Sequence, residues 1–431
     1  MKKRYEKQWS RLDNAARIYP ALSSETASRV FRLYCQLNDP VQPEALQRAA
    51  DRALEAYPEF TNTIRTGFFW YYREQSDLRA VVHEEKESPC QRLYSPNVHG
   101  LLVDVSYFRN RINLEIFHGL ADGLGAAVLF QALVLFYLEE AYPALQGCAQ
   151  RALGELKPTE RDGDAFQLYK GKYQGGDISA LLGKRDGRVY HFHGHRMPDR
   201  RQLVTEICVS SQKVRQAAKA YDATVTAFLS ALLLLSIRET MPVRKRTQRI
   251  CLSEPVNLRG HFASDTLRNF FSIIEICYNP AASSGELDAV IQEVKQAMQS
   301  ELTEEKLGGK ITQQAKLGSS VTIRAVPLLL KNPVIFLSKK LSERNSTMVF
   351  SNVGQMKLPE EVTDYVEQCG AYLSSATRQL VTCSYGDRMV LSFAGTLVEK
   401  DVERAMLRRL SQYDDSISVT TNYGQEVWQI K

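Results

Sequence analysis

Phe117-His118-Gly119-Leu120-Ala121-Asp122-Gly123 divides two kinds of pattern. Before it, Ile112, Leu114 and Ile116 alternate with Asn113, Glu115 and Phe117, the period of a strand with one buried face. After it, an apolar run from Gly123 to Tyr142-Pro143 reads as a long core helix. His118 therefore stands at a strand-to-helix turn, where a side chain can point into a cleft. An unperturbed imidazole titrates near pH 6.5, so such a group can be a neutral base in the cell. The positive N-terminal end of the following helix disfavours the imidazolium and favours that role. The plain alternative is a satisfied histidine ending an edge strand.

Asp122 has two readings, a helix cap or a buried carboxylate paired with a distant arginine that fixes the turn. The third helical position is Gly125, so the glutamate or glutamine of a capping box is absent. Gly123 supplies the backbone freedom expected of a crowded turn.

Working outward, Leu101 to Phe108 and Ile112 to Phe117 are joined by Arg109, Asn110 and Arg111, the signature of an antiparallel hairpin. A strand is expected over Val30 to Leu37 and a helix over Pro43 to Tyr57, with Pro43 in its first turn. Gly154 to Gly194 is polar and glycine-rich, with Gly171, Gly175, Gly176, Gly183 and Gly187, and marks a crossover. Beyond it strands are expected at 203–209, 250–256, 270–277, 347–351, 371–376, 381–385 and 389–393. Helices are expected at 211–221, 224–240, 286–302 and 400–410, with a helical stretch to Lys340 broken at Pro327 and Pro333. A chain of 431 residues exceeds what one core organises and predicts two lobes of roughly 150–250 residues each. We place an N-terminal lobe at 1–175 and a C-terminal lobe at 195–431, in a mixed α/β (α+β) class.

Composition narrows the function. With 44% hydrophobic residues the chain is globular, not disordered. A net charge of +6, spread along the sequence, argues against a dedicated nucleic-acid binder. The densest basic stretch, Arg244, Lys245, Arg246 and Arg249, reads as a solvated loop or a phosphate contact. The eight cysteines include no C-x-x-C pair and read as buried thiols. Residues 1–20 are basic without an apolar signal core, which predicts a cytoplasmic protein. The apolar stretch Gly123 to Leu138 is interrupted by Gln131 and ends at Glu139–Glu140, and Thr224 to Ile237 is too short for a bilayer of about 30 Å, so both read as core helices and no membrane span is expected. His191, His193 and His195 share a strand face in principle, but no fourth metal ligand is evident. No third glycine completes a dinucleotide loop at Gly123-Leu124-Gly125, and Gly308-Gly309-Lys310 lacks the rest of a phosphate loop.

The run H-G-L-A-D-G, with its following helix, resembles the active-site motif of the chloramphenicol acetyltransferase-like superfamily. Pro255-Val256-Asn257-Leu258-Arg259 and Thr266-Leu267-Arg268-Asn269-Phe270-Phe271 resemble that superfamily's second-lobe strand pair facing the cleft. Ser351-Asn352-Val353-Gly354 resembles a late strand end of its alcohol acetyltransferase branch. Trp9, Leu12-Asp13 and Ile18-Tyr19-Pro20 add a weaker likeness. Condensation domains of the superfamily carry a second histidine before the catalytic one; here Phe117 stands there, which favours the alcohol acetyltransferase branch.

The resemblance implies two lobes, each a mixed sheet flanked by helices, with the active site in an interlobe tunnel. It implies His118 as general base, Asp122 bound to Arg259 across the lobes, and Gly123 and Asn269 beside the thioester. Ser351 and Asn352 would line the opposite wall. Asn269 and Asn352 as strand terminators, and Arg259 as an exposed loop residue, are the plainer alternatives. The implied reaction moves an acyl group from acyl-CoA to a hydroxyl without a covalent acyl-enzyme. The alternatives are amide formation from a carrier-protein or CoA thioester, and a non-catalytic binding protein. Acyl-CoA, or an acyl carrier protein, is thus a cosubstrate; no bound cofactor or metal is expected, and the protein is expected to be a monomer.

Overall fold

The computed structural model describes residues 9–96, 98–153, 162–174, 187–197, 199 and 201–422. Gly175, Gly176 and Gly183 of the expected crossover, and the basic residues Lys2, Lys3 and Arg4, lie outside these.

The first part of the chain runs β1 (Trp9–Arg11), α1 (Tyr19–Leu22), β2 (Val30–Leu37), α2 (Pro43–Ala56), β3 (Thr63–Thr66), β4 (Tyr71–Glu74), β5 (His83–Glu84), β6 (Val103–Phe108), β7 (Arg111–Phe117) and α3 (Gly123–Ala141). Two short helices follow, α4 (Cys148–Leu153) and α5 (Ala165–Leu168). The second part opens with β8 (Leu203–Ser210), α6 (Ser211–Ala220), α7 (Val225–Thr240), β9 (Ile250–Asn257) and β10 (Phe271–Tyr278). Four helices come next, α8 (Leu287–Glu301), α9 (Glu304–Ser319), α10 (Val321–Ala325) and α11 (Leu328–Glu343). It closes with β11 (Met348–Gln355), β12 (Val366–Leu373), β13 (Arg378–Tyr385), β14 (Arg388–Gly395), α12 (Asp401–Leu410) and β15 (Ser418–Thr421).

A five-stranded sheet has the order β12-β2-β7-β6-β5, and a seven-stranded sheet the order β10-β9-β11-β13-β14-β8-β15. A small sheet, β1-β4-β3, stands beside them. On the first sheet, Leu46, Ala50 and Leu54 of α2 and Leu129 and Leu133 of α3 belong to one buried cluster with Val105 and Leu114. On the second, Phe228, Leu232 and Leu235 of α7 and Met406 of α12 belong to another with Ile207, Leu391 and Phe393. Two cores mean two lobes, as the sequence predicts. α3 is the one unbroken helix among the described residues with the length and apolarity to cross a bilayer, and 61% of its apolar window is buried inside the protein.

Several details differ from expectation. β12 lies beyond residue 195, yet it pairs antiparallel with β2, Cys369 opposite Cys35, so the division at 1–175 and 195–431 leaves it on the other side. Its span also begins earlier than the expected 371–376. Gly370 hides it in the sequence, and a Cβ there would lie 2.3 Å from the Tyr34 ring that packs over it.

β7 is buried on both faces, not one: Asn113 and Glu115 are as enclosed as Leu114. Glu115 survives there because it accepts from Arg32 Nε at 2.8 Å and from the Cys90 amide at 2.6 Å.

α11 runs through Pro333 without breaking. The proline sits in the second turn, and the carbonyl it leaves without a donor belongs to Leu329, an exposed residue at which water can substitute. Cys251 and Cys277, opposed across β9 and β10, form a disulfide, so they are not thiols. Of the remaining six, Cys208 is half-buried and the rest are buried.

Candidate active site

β7 ends at Phe117, and the chain turns through 118–122 before α3 begins. Phe117 is buried and stacks on Tyr94, with ring centres 5.1 Å apart, which anchors the turn. The His118 amide donates to the Arg29 carbonyl at 2.8 Å.

Asp122 fills both of its predicted roles. Its Oδ1 accepts from the Gly125 amide at 3.0 Å, capping α3. Its Oδ2 accepts from Arg259 Nη1 at 2.7 Å and from the Phe270 amide at 2.8 Å. Arg259 is a buried interlobe partner and not an exposed loop residue, with 9% of its side chain accessible against 7% for Asp122. Its other donors reach backbone carbonyls: Nε that of Thr266 at 2.8 Å and Nη2 that of Arg268 at 2.6 Å. A carboxylate of the first lobe and a guanidinium of the second thus lock the turn to the 257–270 loop.

The same loop holds the imidazole. Asn269 Oδ1 accepts from His118 Nδ1 at 3.0 Å, while Asn269 Nδ2 donates to the His118 carbonyl at 3.0 Å. An amide that gives its nitrogen to a carbonyl must face the ring with its oxygen, so Nδ1 carries the proton and Nε2 keeps the lone pair. Asn269 is therefore a positioning residue, and its NH2 group is engaged by the His118 carbonyl instead of facing an oxyanion. The ring stacks on Tyr19, 4.5 Å between centres and 17° between planes, with Phe31 and Phe271 at its edges.

This half-buried cage lowers the pKa of His118. Burial is the largest cause, and the hydrogen bonds to its own carbonyl and Asn269, with the charge of Asp122, oppose it without prevailing. Desolvation thus favours the neutral imidazole, in the same direction as the helix end invoked from sequence. Tyr19 is raised in turn by burial and stays a phenol.

The glycines exchange roles. A Cβ on Gly123 would meet nothing within 4 Å, so the space beside it is open. At Gly125 it would lie 2.0 Å from the Leu267 carbonyl, so Gly125 is where the two lobes touch too closely for a side chain.

Ser351 and Asn352 lie on β11 at a register shift against β13. Asn352 donates to Thr226 at 3.0 Å and accepts from Thr382 at 3.0 Å and the Gly354 amide at 2.9 Å, so its bonds brace the strand end. The structure brings His118, Asp122, Gly123, Arg259 and Asn269 together. Asn352 bonds instead with Thr226 and Thr382, and Ser351 precedes it on β11. Sequence reasoning missed Gly125 and Phe31; Tyr19 and Phe271 were visible only as parts of Ile18-Tyr19-Pro20 and of the run ending in Phe270-Phe271.

His191, His193 and His195 do not converge. His191 meets the Arg344 carbonyl at 3.1 Å, and His195 pairs with Glu399 at 2.8 Å. Among the described residues no three histidine, cysteine or acidic side chains are placed to hold a metal. A cavity of about 370 Å³ between α3 and α4, lined by Arg52, Phe136 and Gly147 among others, includes none of the site residues.

No family model and no curated protein matches the sequence. Solved structures do match over nearly the whole chain. The trichothecene 15-O-acetyltransferase of Fusarium sporotrichioides is 11% identical, covers 95% of each chain and has a TM-score of 0.63. The first condensation domain of the calcium-dependent antibiotic synthetase is 13% identical, with 94% and 95% coverage and a TM-score of 0.62. TRI101 of F. graminearum, solved with coenzyme A and T-2 mycotoxin, is 10% identical, with 96% and 100% coverage and a TM-score of 0.60. The chain therefore has the two-lobed mixed α/β fold of these acetyltransferases and of the condensation domain.

Proposed function

We propose that the protein is an acyltransferase that moves an acyl group from acyl-CoA to a hydroxyl acceptor, with His118 as general base. The observation that carries this reading is the Asn269 clamp, which leaves Nε2 of a neutral imidazole unprotonated at the seam between the lobes. Nε2 takes the acceptor proton while the acceptor oxygen attacks the thioester carbon. The tetrahedral intermediate then collapses, the carbon–sulfur bond breaks, and the thiolate recovers the proton from Nε2. A base so placed contributes roughly 10²–10⁴-fold to rate. Asp122 and Arg259 do no chemistry; they hold the turn from which the ring projects. Support for coenzyme A as the carrier comes from the similar TRI101 fold, solved with coenzyme A.

The test is release of free thiol from acyl-CoA over a panel of alcohols and amines, by wild type and His118→Ala. Alcohol-dependent release lost in the variant is expected. Equal turnover by both proteins removes His118 from the mechanism. Preference for an amine acceptor would shift the reading to amide formation, and bound acyl-CoA without release would point to a non-catalytic protein.

A further inference from the structure

Helix α11 turns polar side chains inward beside the buried Leu328 and the half-buried Ile335, and exposes most of its apolar ones. Its inward face carries Lys331, only 6% exposed, with Asn332 and Lys339. Lys331 donates to the Phe69 carbonyl at 2.8 Å and lies 3.6 Å from the centre of the Trp70 ring. Asn332 donates to the Tyr71 hydroxyl at 2.8 Å. The outward face carries Leu329, Leu330, Val334, Phe336, Leu337 and Leu341, with Leu329 84% exposed. Positions 330, 334, 337 and 341 follow helical spacing and make one stripe. At the start of the helix, the loop between β3 and β4 adds Phe68, 72% exposed, and Phe69; the Phe68 carbonyl accepts from the Leu328 amide at 2.9 Å. A contiguous apolar face of this kind on a folded protein marks an interaction surface.

Charge decides what covers it. Residues 316–344 hold Lys316, Arg324, Lys331, Lys339, Lys340 and Arg344 against Glu343 alone, a local net charge of +5 out of +6 for the whole chain. Arg324, Lys340 and Arg344 are exposed at the margins of the stripe. A second copy of the chain would set this charge against itself. Large apolar side chains rimmed by cations suit the boundary between lipid headgroups and acyl chains.

We propose that α11 and the Phe68–Phe69 loop form an interfacial anchor that docks the protein on an anionic bilayer surface. The helix touches α1, whose Tyr19 stacks on His118, and its Glu343 lies 3.6 Å from Arg29, the residue whose carbonyl holds the His118 amide. Docking therefore brings lipid close to the seam that holds the imidazole. The proposal stands on the polarity of the helix and does not depend on the acyl-transfer reading.

The test is co-sedimentation of the full chain with vesicles of phosphatidylcholine alone, or of equal parts phosphatidylcholine and phosphatidylglycerol. Wild type is expected to pellet with the mixed vesicles and to stay largely in solution with phosphatidylcholine. Leu330→Glu with Leu337→Glu abolishes pelleting, while Lys340→Glu with Arg344→Glu weakens it by about fivefold or more for each cation removed. All four positions are exposed, so unchanged circular dichroism should accompany both losses. Wild type that ignores the mixed vesicles, or a double-glutamate variant that still binds them, overturns the proposal. A wild-type dimer dispersed by the same glutamates, with no vesicle binding, assigns the face to a second copy instead.

Discussion

Of the ionic clasps that cross the seam between the lobes, two differ in where water stops. At the first, Asp122 and Arg259 are both nearly inaccessible, and every polar atom of the carboxylate is bonded within the protein. At the second, Asp162 accepts from Arg268 Nε at 2.7 Å and Arg73 Nη1 at 2.9 Å. Arg73 is 2% exposed and Arg268 7%, but Asp162 is 42% exposed. The first clasp is dry on both sides, whereas the second has a solvated anion between buried cations. Removing a partner from a dry pair leaves a charge that nothing compensates; at the second clasp water can take the place of lost contacts. The difference teaches that the lobes meet without water at the Asp122–Arg259 pair and with a solvated anion at Asp162.

The largest effect should come from Asp122→Ala, which leaves Arg259 buried and unpaired and uncaps α3. A stability loss of about 3–5 kcal/mol is expected in urea unfolding, with activity lost alongside. An unchanged midpoint would remove the distinction between the clasps. Asn269→Ala tests the clamp without removing a charge from either clasp: kcat should fall by about 10²-fold as the ring loses its orientation, with KM nearly unchanged and a stability loss of about 1–3 kcal/mol as the His118 carbonyl loses the donor that buried Asn269 supplies.

In wild type the acid limb of kcat/KM should lie below about pH 6.5, because burial lowers the His118 pKa and the base stays neutral further into acid. Asn269 favours the imidazolium, so its removal should move that limb further to acid. A limb above neutrality in wild type would contradict the desolvated cage.

Asp162→Asn should cost less than Asp122→Ala, about 1–3 kcal/mol, because the amide still accepts a hydrogen bond and water reaches the site although Arg73 and Arg268 lose their countercharge, and it should spare activity. Burial pushes the Asp162 carboxyl up, but Arg268 and Arg73 outweigh it and hold it below its ordinary value. That contribution is complete above the unfolded carboxylate pKa of about 3.9 and is lost as pH falls through the lower folded value, so wild type and variant should converge in acid. A persistent difference there would place the effect in packing. The smallest readout is a thiol titration of the denatured chain: six free thiols before reduction and all eight after.

Much of the architecture was legible because its signals are local. β2 is a short apolar run, β7 follows alternation and joins β6 through a short polar connection, α2 follows its proline start and apolar spacing, and the position of His118 follows from a change of period at one point. The pairing of Asp122 with Arg259, separated by more than a hundred residues, was visible only through resemblance to a known motif. The second clasp left no trace, since Arg73, Asp162 and Arg268 are ordinary charged residues until three distant loops meet. Cys251 and Cys277 likewise lack a motif, and their bond exists because two strands pair in a register that sets them opposite one another. Asn269 was placed beside the site, but which end of its amide faces the histidine depends on the carbonyl geometry of the turn.

The sequence by itself determined that a neutral-capable histidine ends a strand before a core helix, because periodicity and turn residues act over a few positions. Tertiary structure decided how that histidine is used: which nitrogen is free, what keeps it uncharged, and which glycine admits the opposite lobe. It also decided that the apolar face of α11 points outward, because burial belongs to the packing of elements against one another and a helix carries no record of the side on which its neighbours lie.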